Sequence, residues 1–140
     1  MKYLEKELYV YTMQTSHKNF PILLMAWEEG QPLDKYIIKN INNSRLLRVI
    51  FQNFKKLSIW LLSQSFAHGD LKPNNILVKE NGSLVLIDYD GMYVPAMKGQ
   101  KARELGSPDF RHPLRTKMDF DKSIDIFPIV SILLSLGMIA

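Results

Sequence analysis

Residues 7–13 alternate, with Leu8, Val10 and Thr12 on one side and Tyr9, Tyr11 and Met13 on the other, the two-residue period of a β-strand. Residues 14–19 are polar and turn-like, and the more continuously apolar residues 20–27 predict a second, more buried strand. Gly30-Gln31-Pro32 breaks it, and Pro32, a favoured first-turn residue, opens a short helix to about Lys39. Asn42, Asn43 and Ser44 offer N-cap oxygens. Behind them Leu46, Leu47, Ile50, Phe54, Leu57, Trp60 and Leu61 recur at helical spacing and predict a long amphipathic helix ending near Ser65. Residues 75–79 and 83–88 read as two short strands joined around Asn81-Gly82, a strong hairpin signal. Residues 91–115 carry three prolines and no clear period, and so predict a long loop. Ser123 is placed to cap a last helix, with Pro128 tolerated only near its first turns. The predicted order is β-hairpin, short helix, long helix, β-hairpin, long loop, apolar helix, an α+β chain.

Composition narrows the class only modestly. A length of 140 residues, 46% of them hydrophobic and 23% charged, suits one soluble domain with its own core. No repeat, low-complexity segment or linker divides it. The lack of cysteine excludes a disulfide framework and thiolate metal sites. The net charge of +4 is spread along the chain, and its loose concentration over residues 98–122 is interrupted by Glu104, Asp109, Asp119 and Asp121. That pattern fits a solvated loop, with an acidic partner or peptide as the alternative. No basic surface interleaved with aromatics is present, so no nucleic acid is expected as a partner.

The two ends carry expectations of their own. Residues 126–140 are almost all apolar, but the run is shorter than the roughly 20 residues of a membrane span, and no span is expected. A helix apolar on every side belongs inside a larger body, so the chain reads as cut short there. The charged start, Met1 to Glu7, has no apolar stretch behind it, and cytoplasmic residence is the expectation.

The chemistry concentrates in His68-Gly69-Asp70-Leu71-Lys72-Pro73-Asn74-Asn75, followed thirteen residues later by Asp88-Tyr89-Asp90-Gly91. Singly, Asp70 and Asn75 are ordinary turn residues and Asp88 an ordinary carboxylate at a strand end. Together, flanking a hairpin that joins their ends, they form a set suited to phosphoryl transfer. Such transfer needs divalent cations across the phosphate oxygens. One carboxylate (Asp88) and one carboxamide (Asn75) can ligate Mg2+. A second carboxylate outside the metal shell, Asp70, can orient a hydroxyl and take its proton. Lys72 can meet the charge of the transferring phosphate.

These motifs resemble those of the protein kinase family, specifically the serine/threonine type, whose catalytic loop favours Asp-Leu-Lys-Pro-x-Asn. The likeness runs from about Phe20 to Leu136. Asp88-Tyr89-Asp90 resembles the magnesium motif Asp-Phe-Gly. Gly106-Ser107-Pro108-Asp109-Phe110-Arg111-His112-Pro113 resembles the end of an activation segment, and Asp125-Ile126-Phe127 the start of the buried large-lobe helix. The resemblance implies a partial protein-kinase-like fold over residues 1–140, with the last small-lobe strands and hinge in 1–30 and the large lobe up to its central helix in 31–140. It further implies Mg2+ and ATP as cofactors, and as substrate a protein or peptide with a serine or threonine hydroxyl. Met25 would be the gatekeeper, the backbones of Ala26 and Glu28 would bond adenine, and Leu77 would floor its pocket, supported by Ile132 and Leu136. Ser107 would steady Asp70 and Lys72, and Asp125 would anchor the catalytic-loop backbone.

The chain departs from that pattern at several points. Gly69 stands where an arginine usually clasps a phosphorylated loop, so switching by loop phosphorylation is not expected. Asp90 replaces a flexible glycine, and Leu114 a glutamate that forms a buried ion pair. A Gly-rich phosphate loop, a strand lysine and its helix glutamate are missing from the sequence, and would have to come from a longer chain or another polypeptide. Gly69 and Asp90 fit a small-molecule phosphotransferase of the aminoglycoside or choline kinase type, while Lys72-Pro73 and residues 106–113 fit protein kinases better. A non-catalytic pseudokinase binding module is the alternative from another class.

Overall fold

In the computed structural model, which describes residues 2–14, 16 and 18–140, two small sheets and three helices follow the predicted order with one added strand. Strands β1 (Lys2–Tyr9) and β2 (Asn19–Leu24) pair antiparallel, Lys2 opposite Leu24 and Tyr9 opposite Asn19, with an irregularity between Leu4 and Leu8. β1 thus lies earlier than the alternation at residues 7–13 suggested: past Tyr9 the pairing ends, with the Val10 N–H on the Lys18 carbonyl at 2.8 Å. Alternation marks a face only where one side is buried, and here β1 is exposed on both sides save for the half-covered Leu4. β2 is also not the buried strand expected from residues 20–27. Only Phe20 and Ile22 are partly covered, and residues 25–27 leave the strand altogether. The turn expected at 14–19 includes Thr15 and His17, which lie outside the described residues.

The second sheet is β3–β4–β5, with β3 (Gln31–Pro32), β4 (Ile76–Val78) and β5 (Leu84–Leu86). Gln31 and Pro32 were expected to interrupt structure. They instead pair antiparallel with Val78 and Leu77, an edge position that a proline without an N–H tolerates. The β4–β5 connection is tied by the Lys79 N–H on the Ser83 carbonyl and the Gly82 N–H on the Lys79 carbonyl, both 2.9 Å. Gly82 takes φ +78°, so the Asn81-Gly82 signal closes a turn with a glycine bulge instead of a two-residue loop.

Helix α1 (Leu33–Lys39) has Pro32 at its N-cap, one position before the expected first turn. Helix α2 (Ser44–Ser63) is capped by the Asn43 side chain, which accepts from the Leu46 N–H at 3.2 Å. Leu47, Ile50, Phe54, Ser58 and Leu61 form its buried face. Ser58 is the polar member of that face, and it is satisfied by donating to the Phe54 carbonyl four residues back, at 2.8 Å. Trp60, expected on the apolar face, is half exposed.

The last helix, α3 (Ile126–Ile139), packs against α2. Its N-cap is Asp125, not Ser123, because Ser123 is drawn into a turn in which its N–H donates to Asp121 Oδ1 at 2.7 Å. Ile129, Ile132 and Leu136 enter the core with Leu33, Ile50, Phe54, Leu71, Ile76 and Leu86. Ile126, Val130, Leu134 and Met138 form an exposed stripe at four-residue spacing, so α3 is only half covered. No helix among the described residues is long and apolar enough to cross a membrane.

The core sits where α2, α3 and the second sheet meet, and the loop after α2 is anchored directly on it. Phe54→Ala should therefore cost about 3–5 kcal/mol in chemical denaturation, whereas Ile59→Ala on the exposed side of the same helix should change stability by no more than about 0.5 kcal/mol.

Candidate active site

The site begins where α2 ends. Ala67 forms a two-way backbone bridge with Tyr93, 3.0 Å and 2.9 Å, which draws the start of the long loop against the end of the helix. The buried Asp125 carboxylate then accepts from the backbone N–H groups of His68 and, at 2.9 Å, Gly69. This is the anchoring contact implied by the sequence, made by a side chain that forgoes capping its own helix. His68 is fully buried, and its Nε2 lies 2.9 Å from the Ile87 carbonyl. A carbonyl only accepts, so Nε2 carries the proton.

Gly69 adopts φ +85°, and a Cβ there would lie 1.8 Å from the Gly91 carbonyl oxygen. The position is thus closed to any side chain, and the absence of an arginine there has a steric cause.

Asp70, Lys72 and Asn75 come together within direct hydrogen-bonding distance. Lys72 Nζ lies 2.6 Å from Asp70 Oδ2 and donates to Ser107 Oγ at 3.0 Å. The Ser107 N–H donates to Asp70 Oδ1 at 2.8 Å. Asn75 Nδ2 donates to the Asp70 carbonyl at 2.9 Å and to its Oδ2 at 3.2 Å. A single 3-10 turn at Pro73–Asn75 supplies the geometry, its proline at the first position where no N–H is needed. Burial alone would raise the Asp70 carboxyl, but the hydrogen bond from Lys72, then the Ser107 N–H and the Lys72 charge, hold it below the ordinary carboxylate value. Asp70 is therefore ionised at neutral pH, and whatever it contributes to stability fades only as acid protonates it.

Asp88 reaches this group through the second hairpin: the Ile87 N–H donates to the Asn75 carbonyl at 3.0 Å, setting the next residue beside Asn75. Asp88 itself takes φ +66°, where a non-glycine residue is uncommon. The backbone twist of this motif thus falls on the carboxylate proposed for chemistry. Tyr89 folds back to donate its hydroxyl to the Leu86 carbonyl at 2.7 Å, and its ring lies 5.2 Å from that of His68. Burial, with the Glu28 charge added, pushes the Tyr89 hydroxyl up, so it stays a neutral donor.

A cleft of about 520 Å³ opens beside Asp88, lined by Met25, Ala26, Glu28, Leu77 and Tyr89 among others. Its size is that of an ordinary small-molecule site. Leu77 is buried at its floor, while Ile132 and Leu136 lie in the main core. Glu28 pairs with Lys79 at 2.7 Å, fastening the segment after β2 to the second sheet.

Sequence reasoning missed three contributors: the Ala67–Tyr93 bridge, the Glu28–Lys79 pair and Arg115. The last donates from Nη1 to the Gly69 carbonyl at 3.1 Å and the Leu105 carbonyl at 3.2 Å. The available signal was indirect: a glycine in place of an arginine at residue 69, and another arginine just after the activation-segment motif. Leu114, the other departure at that motif, is well exposed.

The chain is 32% identical over 107 residues to maternal embryonic leucine zipper kinase of Danio rerio, covering 74% of the chain and 15% of that protein. It is 26% identical over 139 residues to the liver/testis isoform of the phosphorylase b kinase gamma catalytic chain of Homo sapiens, covering 91% of the chain and 34% of that protein. The chain thus spans about a third or less of the length of these curated relatives. A family model for the ABC1 atypical kinase-like domain matches residues 4–105. With more than half of its residues in that match, and with kinases among its relatives, the chain belongs to the protein-kinase-like proteins as a member of the ABC1 atypical kinase-like domain family.

Proposed function

We propose that the chain is the hinge and front large-lobe portion of an ATP-dependent kinase that moves the γ-phosphate of Mg·ATP to a serine or threonine hydroxyl of a protein or peptide. The observation that carries this reading is the mutual seating of Asp70, Lys72, Asn75 and Ser107, tied through the Ile87 N–H on the Asn75 carbonyl to Asp88, which lines an apolar cleft. Membership of a kinase-like family supports the reaction class, and the names of the two relatives support a kinase reaction.

The donor set fits Mg2+. The Asn75 amide nitrogen is committed to Asp70, which leaves its carboxamide oxygen as the atom for a cation. Asp88 is exposed and follows the residue bonded to the Asn75 backbone. Mg2+ characteristically takes one or two protein oxygens and completes its shell with water and phosphate, and when bound it offsets the phosphate charge.

In this reading Met25, Ala26 and Leu77 bound the base, with the backbones of Ala26 and Glu28 as its hydrogen-bonding partners. Asp70 stands outside the metal shell. Its carboxylate orients the acceptor hydroxyl and receives the hydroxyl proton as the new O–P bond forms and the bond to the departing ADP oxygen breaks. A carboxylate held below its ordinary value is a weak base, so orientation is the larger part of its role. Lys72 supplies positive charge for the transferring phosphoryl group, and Ser107 keeps both side chains in register.

The test is γ-phosphate transfer from ATP by the full polypeptide that carries this chain, offered a generic protein acceptor and a small alcohol. Transfer to protein is expected, and exclusive use of the alcohol would favour the small-molecule phosphotransferase reading. Asp70→Ala should lower kcat by about 10²–10⁴ while nucleotide affinity, measured by calorimetry, is retained. Asp88→Ala should instead abolish the metal dependence of ATP binding while the circular dichroism spectrum is unchanged. Full transfer by Asp70→Ala, or unaltered metal dependence in Asp88→Ala, would remove the assigned roles.

A further inference from the structure

Arg115 lies outside every motif that suggested the function, yet it touches both segments of the candidate catalytic apparatus. Its backbone is fixed by the turn in which its N–H donates to the His112 carbonyl at 2.9 Å. Its Nη1 reaches the carbonyls of Gly69 and Leu105 at 3.1 and 3.2 Å. Those carbonyls belong to the residue just before Asp70 and the residue just before Gly106. Two positions beyond Leu105, Ser107 bonds Asp70 and Lys72 directly.

Gly69 is thereby held from both sides, its N–H by Asp125 and its C=O by Arg115. The guanidinium Nε and Nη2 are buried without a protein partner among the described residues. The side chain's bonding to the protein therefore runs through the one nitrogen that spans the two segments. Burying a guanidinium with two nitrogens unmatched is costly, which argues against a space-filling role. The approach is also tight: a Cβ on Gly106, at φ +70°, would stand 3.0 Å from both Asp70 Oδ1 and the Gly69 carbonyl oxygen.

The segment that Arg115 fastens offers few hydroxyls for phosphorylation. Between Asp88 and Ser107 the sequence contains no serine or threonine, and its hydroxyls are those of Tyr89 and Tyr93. Tyr93 is 6% exposed in its bridge with Ala67, and the Tyr89 hydroxyl is engaged with the Leu86 carbonyl. A side chain at residue 69 that could grip an added phosphate is excluded by the Gly91 carbonyl.

We propose that Arg115 is a positioning residue, a permanent latch between the loop at Gly69–Asp70 and the segment at Leu105–Ser107, which assembles the site without phosphorylation of that segment. The catalytic consequence rests on the phosphotransfer reading; the latch does not.

The experiment is residue-resolved amide hydrogen exchange on the full polypeptide, comparing the unaltered protein, Arg115→Met and Arg115→Lys, with and without prior phosphatase treatment. The Ser107 amide, which donates to Asp70, is the reporter, and the amides of α2 are the control for folding. In Arg115→Met its exchange should quicken about tenfold or more, as for loss of a charge-assisted hydrogen bond, while α2 stays protected. Arg115→Lys, with one ammonium in place of a fork, should fall between the two. Phosphatase should change nothing. An unchanged Ser107 rate in Arg115→Met, or a phosphatase-sensitive rate in the unaltered protein, overturns the latch. Should Arg115→Met lose protection throughout α2, Arg115→Lys decides, and a Ser107 rate equal to that of the unaltered protein overturns it.

A parallel transfer assay keeps the two readings apart. Arg115→Lys should lower kcat per folded molecule, with the folded fraction counted from the α2 protection, while the KM for ATP is unchanged; a drop accounted for by the folded fraction alone would be general destabilisation. Unaltered protein without any transfer would count against the phosphotransfer reading, while the exchange rates would still decide the latch.

Discussion

The candidate chemistry depends on a buried carboxylate that holds a loop by its backbone. Asp125 stands at the start of α3, 4% exposed, and spends its oxygens on the N–H groups of His68 and Gly69. An isolated carboxylate is costly to bury, and it is tolerated where hydrogen bonds satisfy it and an opposite charge lies near. The backbone donors supply the first and the Arg115 guanidinium the second. Because α3 is itself locked into the core by Ile129, Ile132 and Leu136, the position of Asp70 is referred to the hydrophobic core and not left to a free loop.

From that anchor outward each contact removes a degree of freedom. Tyr93 bridges Ala67, His68 fixes the Ile87 carbonyl, and Asn75 bonds both Ile87 and Asp70. The two hairpin ends carrying Asn75 and Asp88 are thereby registered against each other before any ligand is considered. The positive φ of Asp88 is consistent with this: an unfavourable backbone state persists where its surroundings over-determine it, and such states gather at functional sites. Gly69 and Gly91 show the same economy of space, since the carbonyl of one occupies the volume a side chain on the other would need.

Much of this was legible in the sequence because the signals were local. The face of α2, the Asn43 cap, the β4–β5 hairpin and the Asp70–Asn75 spacing are set by residues within a few positions of one another. The family likeness added Ser107 and Asp125, whose contacts with residues 68–72 no local pattern implies. What failed was read from patterns whose meaning depends on burial. The alternation at residues 7–13 and the apolar run at 20–27 presuppose a packed sheet, and β1 and β2 have exposed faces. Ser123 lost the helix cap to competition from Asp121. Arg115 was out of reach because its partners lie 46 and 10 residues away, one of them a glycine carbonyl with no side-chain signature.

The central claim is that the cleft between residues 25–28 and Asp88 receives a nucleotide whose phosphates meet Asn75 and Asp88. It is tested most directly by residue-resolved NMR of the full polypeptide titrated with Mg·ATP. The account predicts that perturbations gather at Met25, Ala26, Leu77, Asn75 and Asp88, and that chelating the metal removes those at Asn75 and Asp88 first. Saturable shifts confined to another surface, such as the groove of His112, Ile126 and Val130, would contradict it, as would the absence of any shift in a folded protein.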